Sequence, residues 1–236
     1  MSEDSIKRFK SLSRPLRFDD GIEPTELFPL RQQVDQSNDN RMQQLDGETK
    51  VFMALDSGDL PKDQRDKVLS NFMAPKVLHL KVNSQVMLIK NIDETLVNGS
   101  QGRVVAFVDV VSYTKGTSMH NDEDLRSLKR KGSSSVVDEF SISNRPTKRD
   151  SGIPYPLVQF LLPNGRLREI LCVPDVWKTE GINGKIEAAR NQVPLVLAWS
   201  MSIHKSQGQT LERVKVDLTK VFERGKLIII FLNFNR

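Results

Sequence analysis

Residues 195–211 constrain the fold of this chain most, because they pass abruptly from apolar to polar side chains. The run from residue 193 to 200 is apolar enough to form a buried strand. A polar turn follows over residues 202–207, and residues 214–218 again have the composition of a strand. Strand, short helical turn and strand is the order of elements typical of an open α/β sheet. The polar cluster comprises His204, Lys205, Ser206, Gln207, Gly208 and Thr210.

Two interpretations of this polar cluster fit its residues. Backbone N–H groups at a helix start, a lysine charge, and amide or hydroxyl donors are groups that hold a phosphate and a ribose. An ordinary polar turn between a strand and a helix produces the same pattern without any ligand. Because short polar clusters are common, spacing alone favours the ordinary polar turn, and the phosphate site stays open as the alternative at this point.

Composition limits the classes of function without choosing one. The net charge of +5 permits a nucleic-acid partner, although a modest basic excess is also common on a solvated surface. The single cysteine, Cys172, excludes an intrachain disulfide and fits a reducing compartment. The three histidines lie far apart in the sequence, which argues against a zinc site. No apolar run approaches the roughly 20 residues of a membrane span, so we expect no membrane partner.

Short β-strands around tight turns dominate the middle of the chain. The clearest hairpin joins residues 157–162 to 166–173 through Pro163, Asn164 and Gly165. The number of short strands suggests a small barrel of SH3-like type. We expect a polar linker from residue 178 to 192. The other expected strands cover 24–31, 51–55, 77–82, 85–90 and 103–111, and helices are expected over 32–45 and 63–73.

Residues 112–153 differ in composition from the strands on either side. They are rich in Ser, Lys, Arg, Asp and Asn, and contain few large apolar side chains. Such a segment cannot bury enough surface to offset its ordering entropy, which predicts a disordered insertion. Its basic runs at 129–131 and 145–149 fit a nuclear-import signal, or simply solvated charge.

The parts of a phosphate-hydrolysing site are not apparent in these residues. Such a site needs a backbone cradle, a lysine, a magnesium ligand and a group that positions water. No Gly-x-x-x-x-Gly-Lys-Ser/Thr loop occurs in the sequence, and no local signature favours Ser/His/Asp or paired-carboxylate catalysis. We therefore expect no ATP hydrolysis by this chain alone.

A family resemblance gives the polar cluster an identity. Residues 202–211 resemble motif V of superfamily-1B DNA helicases, and their longer context, 195–225, resembles the petite-integration-frequency (Pif) helicases of fungi. Further matching segments are 10–16, 26–31 continuing to Asn38, 71–76, 85–91 and 96–100. On these motifs the chain is identified as a member of the Pif family.

The resemblance implies an α/β fold: part of a RecA-like second motor domain with a parallel sheet, an inserted small SH3-like β-barrel, and a disordered loop. Residues 1–20 would be the end of the first motor domain. The second motor domain would comprise 21–76 and 193–225, the barrel 77–111 and 154–175, and the disordered loop 112–153. Residues 226–236 depart from the family as an aberrant apolar tail.

The resemblance also implies roles for individual residues. Four would lie near the single-strand backbone, namely His204, Lys205, Ser206 and Gln207. Gly208, Gln209 and Thr210 would couple DNA to the nucleotide. Arg31 and Asn38 match the opening motif of the second motor domain. Leu30 stands where the family usually has Thr, and Asn83 where it usually has Gly.

In function, the family implies a 5′-to-3′ DNA helicase that uses ATP and Mg²⁺ on single-stranded or forked DNA. Its roles are telomere, G-quadruplex and mitochondrial DNA maintenance, which places it in the nucleus and mitochondrion. The first motor domain, with its phosphate loop, would precede residue 1, and the final arginine motif would follow residue 225. The expectation is a truncated helicase, inactive alone and completed by a separate first motor domain. The alternative is a non-catalytic module that binds single-stranded DNA or a protein partner.

Overall fold

The structure is a computed structural model that describes residues 11, 21–113, 152–206 and 213–216. The helices are α1 (Arg31–Gln44) and α2 (Lys62–Ser70). No helix within these ranges is both long and apolar enough to cross a membrane. Strands are β1 (Thr25–Phe28), β2 (Lys50–Met53), β3 (Leu55–Ser57), β4 (Val77–Leu80), β5 (Gln85–Leu88), β6 (Gln101–Asp109), β7 (Pro154–Leu161), β8 (Leu167–Leu171), β9 (Asp175–Glu180), β10 (Ile186–Gln192), β11 (Leu195–Leu197), β12 (Ser200–Ser202) and β13 (Val214–Val216).

A small parallel sheet has the order β12-β1-β13, which agrees with the α/β fold expected from the sequence. Leu27 in the central strand lies opposite Met201 on one side and Val216 on the other. The buried side of α1 carries Asn38 and Met42 toward the rest of the molecule. Strands paired in parallel bring their carboxyl ends to one edge, so the ends of β1 and β12 lie side by side.

A larger antiparallel sheet has the order β11-β5-β6-β7-β8. The two-stranded sheet β2-β4 contributes Phe52, Leu78 and Leu80 to the same apolar core. β8 and β11 are the two edges of the five-stranded sheet, and the described strands do not close into a barrel. The predicted SH3-like barrel is therefore not confirmed, whereas its strands and the hairpin around residues 163–165 are present.

Strand β5 lies between the two cores, with all four of its residues buried. Because side chains alternate along a strand, Val86 and Leu88 enter the core of the antiparallel sheet, while Met87 and the following Ile89 enter the core beside the parallel sheet. This explains why the residues after Gln85 form an apolar run, as in strands covered on both faces.

The linker predicted for residues 178–192 is wrong, because these residues belong to the hairpin of β9 and β10. Gly184 occupies the left-handed region with φ 73°, and its N–H donates to the carbonyl of Gly181 at 2.9 Å. β10 also pairs with β3, so a third sheet has the order β3-β10-β9. The polar composition concealed the strand because two of its buried side chains, Arg190 and Gln192, are satisfied by hydrogen bonds rather than by apolar contacts.

The apolar run over residues 193–200 is also not one strand. β11 pairs with β5 in the antiparallel sheet, whereas β12 pairs with β1 in the parallel sheet. Ala198, between them, is completely buried, and its carbonyl accepts hydrogen bonds from Thr25 Oγ1 at 2.8 Å and from Gln85 Nε2 at 3.2 Å. One short stretch therefore joins the two sheets immediately before the polar turn.

Asn83, for which the family resemblance implies glycine, has a φ of 70°. It lies in the turn between β4 and β5, and its N–H donates to the carbonyl of Val104 at 2.8 Å. Asn tolerates this conformation better than most side chains. The substitution therefore keeps the turn that glycine would allow.

Candidate nucleic-acid interface

The turn at residues 203–206 follows β12 at the carboxyl end of the parallel sheet. Ile203 is buried, and its N–H donates to the carbonyl of Phe28 at 3.0 Å. Ser206 is also buried; its Oγ donates to the carbonyl of Ile203 at 2.8 Å, and its N–H to that of Ser202 at 3.1 Å. His204 and Lys205 between them are exposed. The turn is thus anchored at both ends and presents two side chains that suit an anion.

The Lys205 ammonium group lies in a setting that disfavours its charge. Partial removal from water lowers the pKa of Lys205, and the positive charge of Arg31 lowers it further, while Asp35 opposes the shift. Arg31 is itself exposed, and its Nε lies 3.9 Å from Asp35 Oδ2. A ligand phosphate would offset both unfavourable contributions. Arg31 and Lys205, which the sequence places 174 positions apart, are therefore brought to one cationic site.

Asn38 is buried and uses its amide on the backbone of β12. Its Nδ2 donates to the carbonyl of Ser200 at 3.1 Å, and the Ser200 N–H donates to its Oδ1 at 3.0 Å. The hydroxyls of Ser37 and Ser200 lie 2.6 Å apart. These bonds fix α1 against the strand that leads into the turn. Asn38 therefore holds the site in place, and its role in nucleotide coupling stays a prediction.

The remaining predicted site residues, Gln207, Gly208, Gln209 and Thr210, lie outside the described residues. The contacts of His204, Lys205 and Ser206 with DNA, and the nucleotide role of Arg31, also stay predictions. Within the described ranges, no three His, Cys, Asp or Glu side chains lie close enough together to hold a metal ion.

A cleft of about 1040 Å³ opens beside the turn, and it was not predicted from the sequence. One wall is α1, a second wall is the segment from residue 70 to 81, and β11 and β12 also contribute to the lining. Arg31 and Lys205 both line this cleft. It was missed because its lining comes from segments far apart in the chain. Other residues that line it are Asp39, Asp66, Phe72, Met73, Leu197 and Met201.

The buried side chain of Arg190 in β10 fixes the second wall of the cleft. Arg190 is 5% exposed; its Nε and Nη2 donate to the two carboxylate oxygens of Asp56 at 2.7 and 2.8 Å. Its Nη1 donates to the carbonyls of Leu69 at 3.3 Å and Ala74 at 2.9 Å. The hydrogen bond from Arg190 is the main cause that lowers the pKa of Asp56, against the effect of burial. The signal that could have found this hairpin is the Asn183–Gly184 turn pair.

Comparison with known proteins agrees with this geometry. Residues 65–107 match the family described as "DNA helicase Pif1, 2B domain". The ATP-dependent DNA helicase PIF1 of Emericella nidulans is 50% identical over 240 residues, which covers 97% of this chain and 31% of that protein. The crystal structure of Pif1 helicase from Candida albicans is 40% identical with a TM-score of 0.71, and the match covers 98% of this chain and 48% of that one.

A more distant solved structure, Pif1 helicase from Bacteroides in complex with ADP-AlF3 and ssDNA, has a TM-score of 0.50 at 18% identity, with 98% of this chain and 42% of that chain covered. A likeness at this identity shows the fold alone. The fold and these matches show that the chain is similar to proteins described as Pif1 DNA helicases. It belongs to the Pif1 family. The chain spans about a third of the length of the curated relatives that it matches.

Proposed function

We propose that this chain binds single-stranded DNA through the turn at residues 203–206, as one portion of an ATP-dependent 5′-to-3′ DNA helicase. The observation that carries the proposal is the exposed Lys205, which lines the same cleft as Arg31 and lies on a turn fixed at the end of β12. Lysine and arginine contacts to phosphates supply most of the affinity in sequence-independent binding of nucleic acids. A forked DNA offers the same single strand, and is the second ligand to test.

ATP and Mg²⁺ serve the complete helicase in this proposal. The described residues do not fit a magnesium–nucleotide site by themselves, because no cluster of carboxylates lies among them and the sequence contains no phosphate loop. A complementary first motor domain would supply those groups. A coupled ATPase assay on the purified chain, with and without oligonucleotide, tests this: we expect no hydrolysis above background, and DNA-stimulated turnover at about 10 per second or more would contradict it.

The alternative function is a non-catalytic module that binds single-stranded DNA or a protein partner. The turn favours it to this extent: the hydrogen bonds that anchor it, accepted by the carbonyls of Phe28, Ile203 and Ser202, lie within this chain. The two functions predict different effects of an added first motor domain on ATP hydrolysis. Addition of a family first motor domain restores DNA-stimulated hydrolysis if the chain is a helicase portion, and changes nothing if it is a module.

Fluorescence anisotropy with a labelled oligonucleotide at two salt concentrations tests the DNA site itself. Lys205→Ala should weaken binding and reduce the salt slope by about one. Lys185→Ala is the matched control, since it removes the same charge from the exposed β9–β10 turn away from the cleft. Equal effects of the two substitutions would indicate general charge attraction and contradict a specific site.

A location in the nucleus and mitochondrion, and a role in telomere and mitochondrial DNA maintenance, belong to the same proposal. Their support is the family resemblance of residues 195–225. Imaging of a fluorescently tagged chain tests the location: signal confined to the cytosol would contradict it.

A further inference from the structure

Phe72 is an aromatic side chain without a place in either apolar core. It is half-buried, follows α2, and its N–H donates to the carbonyl of Leu69 at 3.2 Å. Neither the core of the antiparallel sheet nor the core beside the parallel sheet includes it. Among the described residues that line the cleft, it is the only Phe, Tyr or Trp. A large ring that stabilises no core in the described structure points to a ligand.

The two tryptophans have other contacts. Trp199 is buried, with 7% of its surface exposed. Trp177 packs beside the parallel sheet, and the Lys90 ammonium lies 5.3 Å from the centre of its ring. Neither lines the cleft. Phe72 is therefore the candidate aromatic surface at this site.

Hydrogen bonds from β10 hold the backbone on both sides of Phe72. Arg190 binds the carbonyls of Leu69 and Ala74, which flank it in the chain. Gln192 is 2% exposed, and its Nε2 donates to the carbonyl of Pro75 at 3.0 Å and to that of Phe52 at 3.0 Å. The wall that carries Phe72 is thus fixed before any ligand arrives, which reduces the entropy lost on binding.

The lining of the cleft combines cationic and apolar side chains. Arg31 and Lys205 line it together and attract an anion, although Asp35 is paired with Arg31. Asp39 and Asp66 also line it and oppose this attraction, and Leu197 and Met201 add apolar surface. A nucleotide has groups for both kinds of lining, namely an anionic phosphate and an uncharged, flat base. Proteins that bind single strands combine a cationic groove with aromatic rings on which bases stack.

We infer that Phe72 is a stacking platform for an unpaired nucleobase of the strand whose phosphates contact Arg31 and Lys205. The inference rests on the proposed DNA-binding function and adds to it a base subsite. Arg190 and Gln192 act as positioning residues for this platform. Because stacking is tolerant of base identity, the site selects single-stranded over double-stranded DNA rather than one sequence.

A pair of oligonucleotides of equal length and charge tests the subsite: one of deoxythymidine, and one whose residues are abasic. Phe72→Leu keeps an apolar side chain of similar bulk but removes the ring. It should weaken binding of the deoxythymidine strand about tenfold, the effect expected of one lost stacking contact. Binding of the abasic strand should stay unchanged. Phe72→Trp should restore affinity for the strand with bases.

The phosphate site provides the second arm of the experiment. Lys205→Ala should weaken both oligonucleotides to the same extent, because both carry the same phosphates. A Phe72→Leu chain that loses affinity for both strands equally, or for neither, overturns the base subsite. A Lys205→Ala chain that binds both strands as tightly as the unmodified chain overturns the DNA site itself. The two failures are therefore distinguishable.

Thermal unfolding of each variant accompanies the titrations. If Phe72→Leu lowers the unfolding temperature, base stacking is tested with Phe72→Trp instead. In that variant the deoxythymidine strand should quench the added tryptophan fluorescence, compared with the unmodified chain, while the abasic strand should not. Equal quenching by both strands would overturn the inference.

Discussion

The parallel and the antiparallel sheets differ in the size of their apolar cores and in their nearness to the predicted DNA contacts. The apolar core of the antiparallel sheet contains fifteen buried residues in the described part of the chain, and the core beside the parallel sheet contains seven. Hydrophobic stabilisation scales with apolar area removed from water. Among the described residues, we therefore expect those of the antiparallel sheet to contribute more to the free energy of folding, although the predicted DNA contacts lie at the end of the parallel sheet.

The two sheets are connected immediately before the turn. Residues 195–202 contribute β11 to the antiparallel sheet and β12 to the parallel sheet, and Gln85 binds the Ala198 carbonyl between them. A small sheet can hold a turn in a defined position when a larger sheet supports it in this way. Substitutions should accordingly form three groups: those that lower the stability of the fold, those that lower both stability and affinity for DNA, and those that lower affinity for DNA alone.

The largest effect should follow a cavity in the antiparallel core. Phe160 is fully buried in β7, and Phe160→Ala should lower the free energy of unfolding by about 3–5 kcal/mol. Chemical denaturation followed by circular dichroism measures the change. Phe72→Leu, at the half-buried ring outside both cores, is the control and should cost less than about 1.5 kcal/mol. Equal losses at the two positions would mean that the antiparallel core is not the larger source of stability among the described residues.

The strands and turns of the two sheets that depend on neighbouring residues in the sequence could be predicted. The strand predicted for residues 85–90 is confirmed as β5, whose residues Val86 and Met87 face different cores. The Pro163–Gly165 turn correctly gave the β7–β8 hairpin. The turn after β12 was likewise visible from the change from apolar to polar residues.

The parts that depend on distant partners could not be predicted. Arg190 and Gln192 look like linker residues until Asp56 and the carbonyls that they bind come into contact with them. The break at Ala198 is invisible in an apolar run, because it depends on which strands lie on either side. The cleft needs both walls, and only the folded chain brings α1 opposite residues 70–81.

The second effect in size concerns the joint between the two sheets. Gln85 is 3% exposed; it accepts from the Glu23 N–H at 2.8 Å and donates to the carbonyls of Glu23 and Ala198. Gln85→Leu leaves those groups without this partner and should cost about 1–3 kcal/mol. It should also weaken binding of single-stranded DNA, measured by anisotropy. Gln159→Leu, at an exposed pair with Glu169, is the control and should change neither property.

A smaller effect should appear at low pH, where the antiparallel sheet should lose the contribution of Asp93 to the free energy of unfolding. Burial alone would raise the pKa of Asp93, but bonds from Thr95, Arg168 and the Leu96 N–H lower it from 3.8 to about 2. The unfolded chain therefore binds this proton at a higher pH than the folded chain. The resulting stability is complete above about pH 4 and disappears as the pH falls toward 2.

Because Asp93 and Arg168 are partly exposed, we expect a contribution of only about 1 kcal/mol. Denaturation of the unmodified chain and of Asp93→Asn at several pH values measures it. The difference between the two should be constant from pH 5 to 7 and shrink between about pH 4 and 2. A difference that persists at pH 2 would show that the carboxylate charge is not its cause.

The smallest effect on stability should come from the residue with the largest predicted role in binding. Lys205 is exposed, and its charge is disfavoured by desolvation and by Arg31, so its folded-state pKa is lowered. Lys205→Ala should therefore leave the free energy of unfolding unchanged within about 0.5 kcal/mol, or raise it slightly. Affinity for single-stranded DNA should fall in the same preparation. A loss of stability comparable with that of Gln85→Leu would contradict this grouping, because the turn would then support the fold as well as the ligand.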